Sequence, residues 1–319
     1  MKYVFNFSTA EDDLKRYADR QALLKQLEGF DGLELMAFTD TLPPLIPPEK
    51  VIGVHLGYPI GWVDRFTGRT DAEKRTFGSR EAADAYFGGS GPEAVVNFFR
   101  HELDRAARFG AEYAVFHVSD GTPEEAFTGQ YHLTDEDVIH AAADLINEVL
   151  PAGSVGPTVL FENLWQPGLT MRREEMGLML LDKVRNKNTG IMLDTGHLMH
   201  TELTLTTEEE GIAFIHRVLD GCPRLIPHIK GLHLQQSLTG AYMLSARDKG
   251  PKPEAPFSEK LAALFTHAFL ADRHEPFTVP AVRSIVERVR PEYVNFEFIS
   301  RSRAEHRRML ETQLRALGR

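Results

Sequence analysis

The chain has 319 residues, of which 42% are apolar and 26% charged, a composition that fits a globular enzyme and excludes a disordered chain. A formal net charge of −10 gives no general attraction to phosphate backbones, so a nucleic acid partner is unsupported, and no apolar run nears the roughly 18 residues that span a bilayer. The opening MKYVFNFSTAEDD turns acidic where a secretion signal stays apolar, which makes the cytoplasm the expected compartment, and the single cysteine, Cys222, excludes an intrachain disulfide.

In chain order, short apolar or β-branched runs alternate with segments of helical period. Strands are expected at 3–7, 32–36, 51–55, 113–117, 158–162, 190–194, 229–233 and 293–297, and helices at 12–28, 92–109, 134–149, 172–185, 207–220, 259–270, 280–290 and 303–317. Thr134 and Pro92 stand where helix starts need a cap or a first-turn proline. Strand then helix, repeated, predicts an α/β fold, a (β/α)8 TIM barrel in a single domain over 1–319. A doubly wound open sheet ranks second, because STAEDD after Phe7 lacks the glycine-rich phosphate loop of dinucleotide folds. Two connections are long, 56–91 and 234–258, and long connections in compact domains serve as lids or binding loops.

The last residues of these strands are Phe7, Met36, His55, His117, Glu162, Asp194, His233 and Glu297, so six of eight are His, Asp or Glu. Composition alone would put such a residue at about one or two ends, and burying them is rarer still. In a parallel barrel these ends converge on one face, where imidazoles and carboxylates without a matching cluster of Lys or Arg need a cation among them. Nitrogen and carboxylate ligands suit Mn, Zn, Co, Fe or Mg. His197 follows Asp194 by three positions, and Asp272 with His274 forms a D-x-H that can address one ion from an extended loop.

These stretches resemble the xylose isomerase-like TIM-barrel superfamily, which groups sugar and sugar-phosphate isomerases and epimerases with endonuclease IV-type enzymes. The carriers are FDGLEL, VIGVHLGY, AVFHVSD, VLFENL, IMLDTGHL, KGLHLQQS, ADRHEP and VNFEF. The resemblance implies that Glu162, Asp194, His233 and Glu297 hold one divalent metal, as in the isomerases and epimerases. His55, His117, His197, Asp272 and His274 match further positions with which the endonuclease branch binds three zinc ions. Two stretches differ from the endonucleases: strand one ends in NFSTAEDD where they resemble HVSAAGG, and FTVPAV replaces a glycine-rich segment after the D-x-H.

The leading expectation is therefore a divalent-metal-dependent isomerase or epimerase of a sugar, polyol or sugar phosphate, with one firmly held ion. Glu162 and Glu297 would move a proton next to a carbonyl, and Lys230 and His197 would orient substrate oxygens. The alternative is a phosphoesterase with two or three ions, and a barrel that binds without catalysis ranks third. Tyr58, Trp62, Phe66, Phe87 and Trp165 are candidates for an aromatic wall. Arg247, Lys249, Arg301 and Arg303 are candidates for a phosphate anchor, with solvated surface charge as the plainer meaning. A small carbohydrate-like substrate is the expected partner, and self-association is left open.

Overall fold

The computed structural model describes residues 1–247 and 249–319. Its strands are β1 (Lys2–Ser8), β2 (Gly32–Met36), β3 (Val51–His55), β4 (Tyr113–His117), β5 (Thr158–Glu162), β6 (Thr189–Asp194), β7 (Ile229–His233) and β8 (Tyr293–Phe296), closed in sequence order into a parallel barrel. The expected α/β (β/α)8 barrel is thus the observed one. Burial on both faces explains why the strands read as nearly continuous apolar runs.

Side chains alternate across each strand. One face packs against the surrounding helices, while Val4, Ile52, Tyr113, Val115, Leu160, Met192 and Tyr293 form a separate cluster inside the barrel. Gly53 makes room there, because a Cβ on it would lie 2.2 Å from Tyr113 Cζ. This packed plug fills the lower barrel, so polar inward residues higher on the strands become the floor of a cavity at the C-terminal mouth.

The 12–28 helix is two helices, Glu11–Leu14 and Arg20–Gln26, because the Asp19 side chain accepts from the Ala22 N–H at 2.8 Å and starts a new one. The 280–290 helix opens as a 3-10 turn, Pro280–Val282, before Arg283–Val289. Neither long connection is structureless. Residues 56–91 carry helices Trp62–Thr67, Thr70–Phe77 and Arg80–Phe87, and residues 234–258 carry Gly240–Ala246. Buried Asp120 accepts the Gly61 and Val63 N–H groups, each at 2.8 Å, and buried Arg65 pairs with Glu73 and Asp84, so the first connection is fixed as a wall beside the mouth. Among the described residues no helix is long and apolar enough to cross a membrane.

Candidate metal centre

Strand register sets the level of each polar side chain. Asp194 pairs with His233 across β6 and β7, and His117 pairs with Glu162 across β4 and β5. Glu162, Asp194 and His233 are fully buried, and Glu297, one residue past β8, is nearly so. Their ligand atoms, together with those of the other candidate residues, fall into compact groups. One is Glu162, Asp194, His233 and Glu297; a second is His55, His117 and Glu162; a third is His197, Asp272 and His274; and a fourth is Glu34, His55, His233 and Glu297, with one ligand atom from each residue of a group within 4.8 Å of the others.

Glu162 belongs to two of these groups and divides its oxygens between them. Oε2 lies 3.2 Å from His55 Nε2 and 3.0 Å from His117 Nε2, while Oε1 lies 2.9 Å from His233 Nδ1 and 3.3 Å from His197 Nδ1. In the third group His197 Nε2 and His274 Nε2 approach Asp272 Oδ2 at 2.8 and 2.6 Å. His274 holds φ at +49°, a left-handed backbone for a residue with a side chain, and such strain persists where the surroundings enforce it, often at functional sites.

Local sequence explains how the DTGHL turn works. Asp194 Oδ1 accepts the His197 N–H at 2.7 Å, capping the helix Thr195–Met199 and fixing the base of the His197 side chain. Gly196 must lack a Cβ, which would lie 2.1 Å from the Gln235 amide. Gln235 Nε2 can therefore donate to Asp194 Oδ1 at 3.0 Å and to Asp272 Oδ1 at 3.2 Å, tying two groups together.

Burial opposes charge on every imidazole, yet neighbouring carboxylates hold His233 and His197 well above the usual histidine range and carry His55 and His274 up to about 9. Burial also opposes charge on Glu297, but His233 and His274 bring it down to about 2. For His117 burial prevails and the pKa is lowered. Asp194 is pushed up to about 7, first by burial, with the Glu162, Glu297 and Asp272 charges adding to that against the pull of His197. The imidazoles are thus the groups that carry positive charge beside these carboxylates. Asp194 Oδ2, Glu297 Oε2 and His117 Nδ1 are buried without a hydrogen-bond partner. Glu297 Oε2 sits 2.7 Å from His233 Nδ1, but without hydrogen-bond geometry. Nitrogen and carboxylate donors so arranged could hold a divalent ion, which would replace those protons.

Glu34 is the member of this floor that the strand-end reading missed. Its Oε2 lies 3.0 Å from His233 Nε2 and accepts the Tyr113 hydroxyl at 2.7 Å. It precedes the end of β2 by two positions, on the same face as Met36, so strand alternation was the available signal. Asn163, Gln235 and Ser237, which hold Asp194 and Asp272 in place, were missed as well, having no motif of their own.

The groups open into a cavity of about 730 Å3. Tyr58 and Trp165 line it, their rings 5.0 Å from His117 and 5.3 Å from His197. Trp62 does not: it is fully buried, donates from Nε1 to Ser119 O at 2.8 Å and packs on Phe99 and Phe116. Phe87 packs on Phe77 and Tyr86, and Phe66 sits on the main core. Among the described residues that line the cavity, neither Lys230, Arg247, Lys249 nor Arg301 appears. Lys230 stands early on β7 and lays its stem over Gly190. Arg303 does line the cavity, stacked over Tyr17 at 5.1 Å and donating to Ala22 O.

A family model described as xylose isomerase-like TIM barrel matches residues 22–278. Endonuclease IV from Thermus thermophilus is similar in structure, with a TM-score of 0.54 at 16% identity over 100% of this chain and 99% of that one. A D-tagatose 3-epimerase-like protein gives 0.53 at 13%, over 100% and 98%. The IOLI protein with a bound zinc atom gives 0.50 at 14%, over 100% and 98%. No curated protein matches the sequence.

Proposed function

We propose that this chain, which belongs to the xylose isomerase-like TIM barrel family, is a hydrolase of phosphoesters working with two or three divalent ions. The observation that carries the reading is the sharing of Glu162 between the His55–His117 group and the Asp194–His233–Glu297 group. A carboxylate facing two ligand sets is the arrangement that holds paired ions. Such ions, when bound, polarise a phosphoryl oxygen and strengthen water as a nucleophile. The chain's part is to hold the ligands rigidly. Gln235 and the capped turn after Asp194 tie the central group to the His197–Asp272–His274 group, and the packed barrel core closes the site from below. The neighbour named as an endonuclease shares the fold, and polymeric DNA is the less natural substrate for a protein of net charge −10.

The sequence alone ranked a single-ion isomerase or epimerase first, and one observation still favours it. Glu162 on β5 and Glu297 just past β8 approach His233 Nδ1 at 2.9 and 2.7 Å, placed to remove and return a proton at a sugar carbon next to a carbonyl. Bis(p-nitrophenyl) phosphate and a ketose in deuterated water separate the two. Diester hydrolysis that needs at least two ions per chain, and falls at least a hundredfold in His117→Ala and Asp272→Asn, is the expected result. Deuterium incorporation into the ketose by protein holding one ion, with no diester cleavage, would install the second reading instead.

A further inference from the structure

Among the described residues nine large apolar side chains are exposed, and five of them, Met36, Phe38, Phe265, Phe269 and Ile299, line the cavity above the ligand groups. They come from three separate places: the end of β2, the helix Phe257–Ala271 and the segment after β8. Phe38, Phe265 and Phe269 are 63%, 55% and 60% exposed, far beyond what packing between elements leaves open. The helix is also inverted for a surface helix. Lys260 and His267 are buried, Lys260 paired with Glu124 at 2.5 Å, while Phe265, Phe269 and Leu270 face outward. A contiguous apolar patch on a soluble protein marks a binding surface, and here it is continuous with a floor of buried carboxylates and imidazoles.

We infer that the substrate is amphipathic, an ester whose anionic head reaches the ligand groups while an alkyl or aryl chain lies along Phe38, Phe265, Phe269 and Ile299. A free sugar would leave this wall in water, and a cavity of about 730 Å3 has the size of sites for larger ligands. The cations at the rim are already occupied: Arg16 contacts Asp13 at 3.0 Å and Ser300 at 3.2 Å, and Arg303 covers Tyr17. Recognition away from the floor therefore falls to apolar contact. The identity of the head group rests on the hydrolase reading; the apolar chain does not.

Calorimetric titration of the metal-loaded protein with methyl-, butyl- and octylphosphonate, and with octyl glucoside, tests both parts. Burying one methylene fully is worth about a factor of four, so octyl should bind at least roughly tenfold tighter than butyl, and Phe265→Ser with Phe269→Ser should erase that gain. Equal affinity for butyl and octyl overturns the inference, even where methylphosphonate binds and the hydrolase reading stands. Octyl glucoside binding as tightly as octylphosphonate removes the phosphoester head and leaves the apolar chain. Sedimentation showing a dimer that the double variant dissociates would assign the wall to a second copy of this chain and overturn the substrate assignment.

Discussion

Replacing Glu162 with Gln should cost the protein more metal than replacing Asp194 with Asn, although both side chains are fully buried. Glu162 serves two ligand groups and Asp194 one. A Gln removes the negative charge that both sets draw on, and its NH2 leaves one of them without an oxygen at all, so neither His55 and His117 nor His233 keeps its carboxylate partner. Asp194→Asn keeps an acceptor for the His197 N–H and loses only the central group. Each ion supplied at a hundred times its Kd stabilises the folded state by about 2.7 kcal/mol, and about 1 kcal/mol moves Tm by roughly 2–4 °C in a large domain. Glu162→Gln should thus forfeit roughly 10–20 °C of the metal-induced rise in Tm, about twice the loss in Asp194→Asn. Measuring the rise between chelator-treated and metal-loaded samples cancels any effect of the substitution on the bare fold. Elemental analysis should count two fewer ions in Glu162→Gln and one fewer in Asp194→Asn. Equal losses in the two variants, or two ions retained without Glu162, would show that the carboxylate is not shared.

Glu34→Gln should weaken the central ion by roughly 10–100-fold, the usual effect of removing a carboxylate behind a ligating histidine, with Tyr113→Phe milder; chelator competition measures both, and unchanged affinity in Glu34→Gln would remove its positioning role. His306, on the C-terminal helix, is brought down to about 4 by burial first and the Arg16 charge second, so the unfolded chain takes up its proton before the folded one. Stability from this group is complete above about pH 6.5 and drains as pH falls towards 4, by about 2–3 kcal/mol at pH 4.5. Urea unfolding at pH 7.5 and 4.5 should show a smaller difference in His306→Phe, and an identical difference in both proteins would contradict it.

Strands were legible because burial on both faces leaves an apolar run that ends where the polar mouth begins; the runs ending in His55, His117, Glu162 and His233 match the observed strands. Glu34 was hidden by the rule that exposed the others. Looking only at the last residue of each strand finds Met36, while the inward carboxylate lies one full alternation below it. Trp62 misled because an aromatic in a long connection reads as loop, whereas Asp120 captures the preceding turn and drives the ring into the core. The apolar wall left no periodic signal. Apart from Thr266 and His267, residues 261–271 are apolar, so the outward face cannot be told from the inward one, and Lys260 and His267, which read as solvent-facing, turn inward.

What the strand ends could not show is which histidine nitrogen faces the floor, and Glu34 decides it. With His233 Nε2 at 3.0 Å from Glu34 Oε2, the imidazole's proton belongs on Nε2, where the carboxylate accepts it. Its lone pair then sits on Nδ1, with Glu162 at 2.9 Å, Glu297 at 2.7 Å and Asp194 at 3.7 Å around it. A lone pair among carboxylate oxygens is repulsive unless something positive lies between them. Among the described residues no lysine or arginine pairs with Glu162, Asp194, Glu297 or Asp272, whose charged partners are all histidines. A second proton on His233 answers one carboxylate at a time from a fixed direction. A divalent ion would answer all of them at once and would take Nδ1 as its donor, a role for which the Tyr113–Glu34–His233 chain already orients the ring.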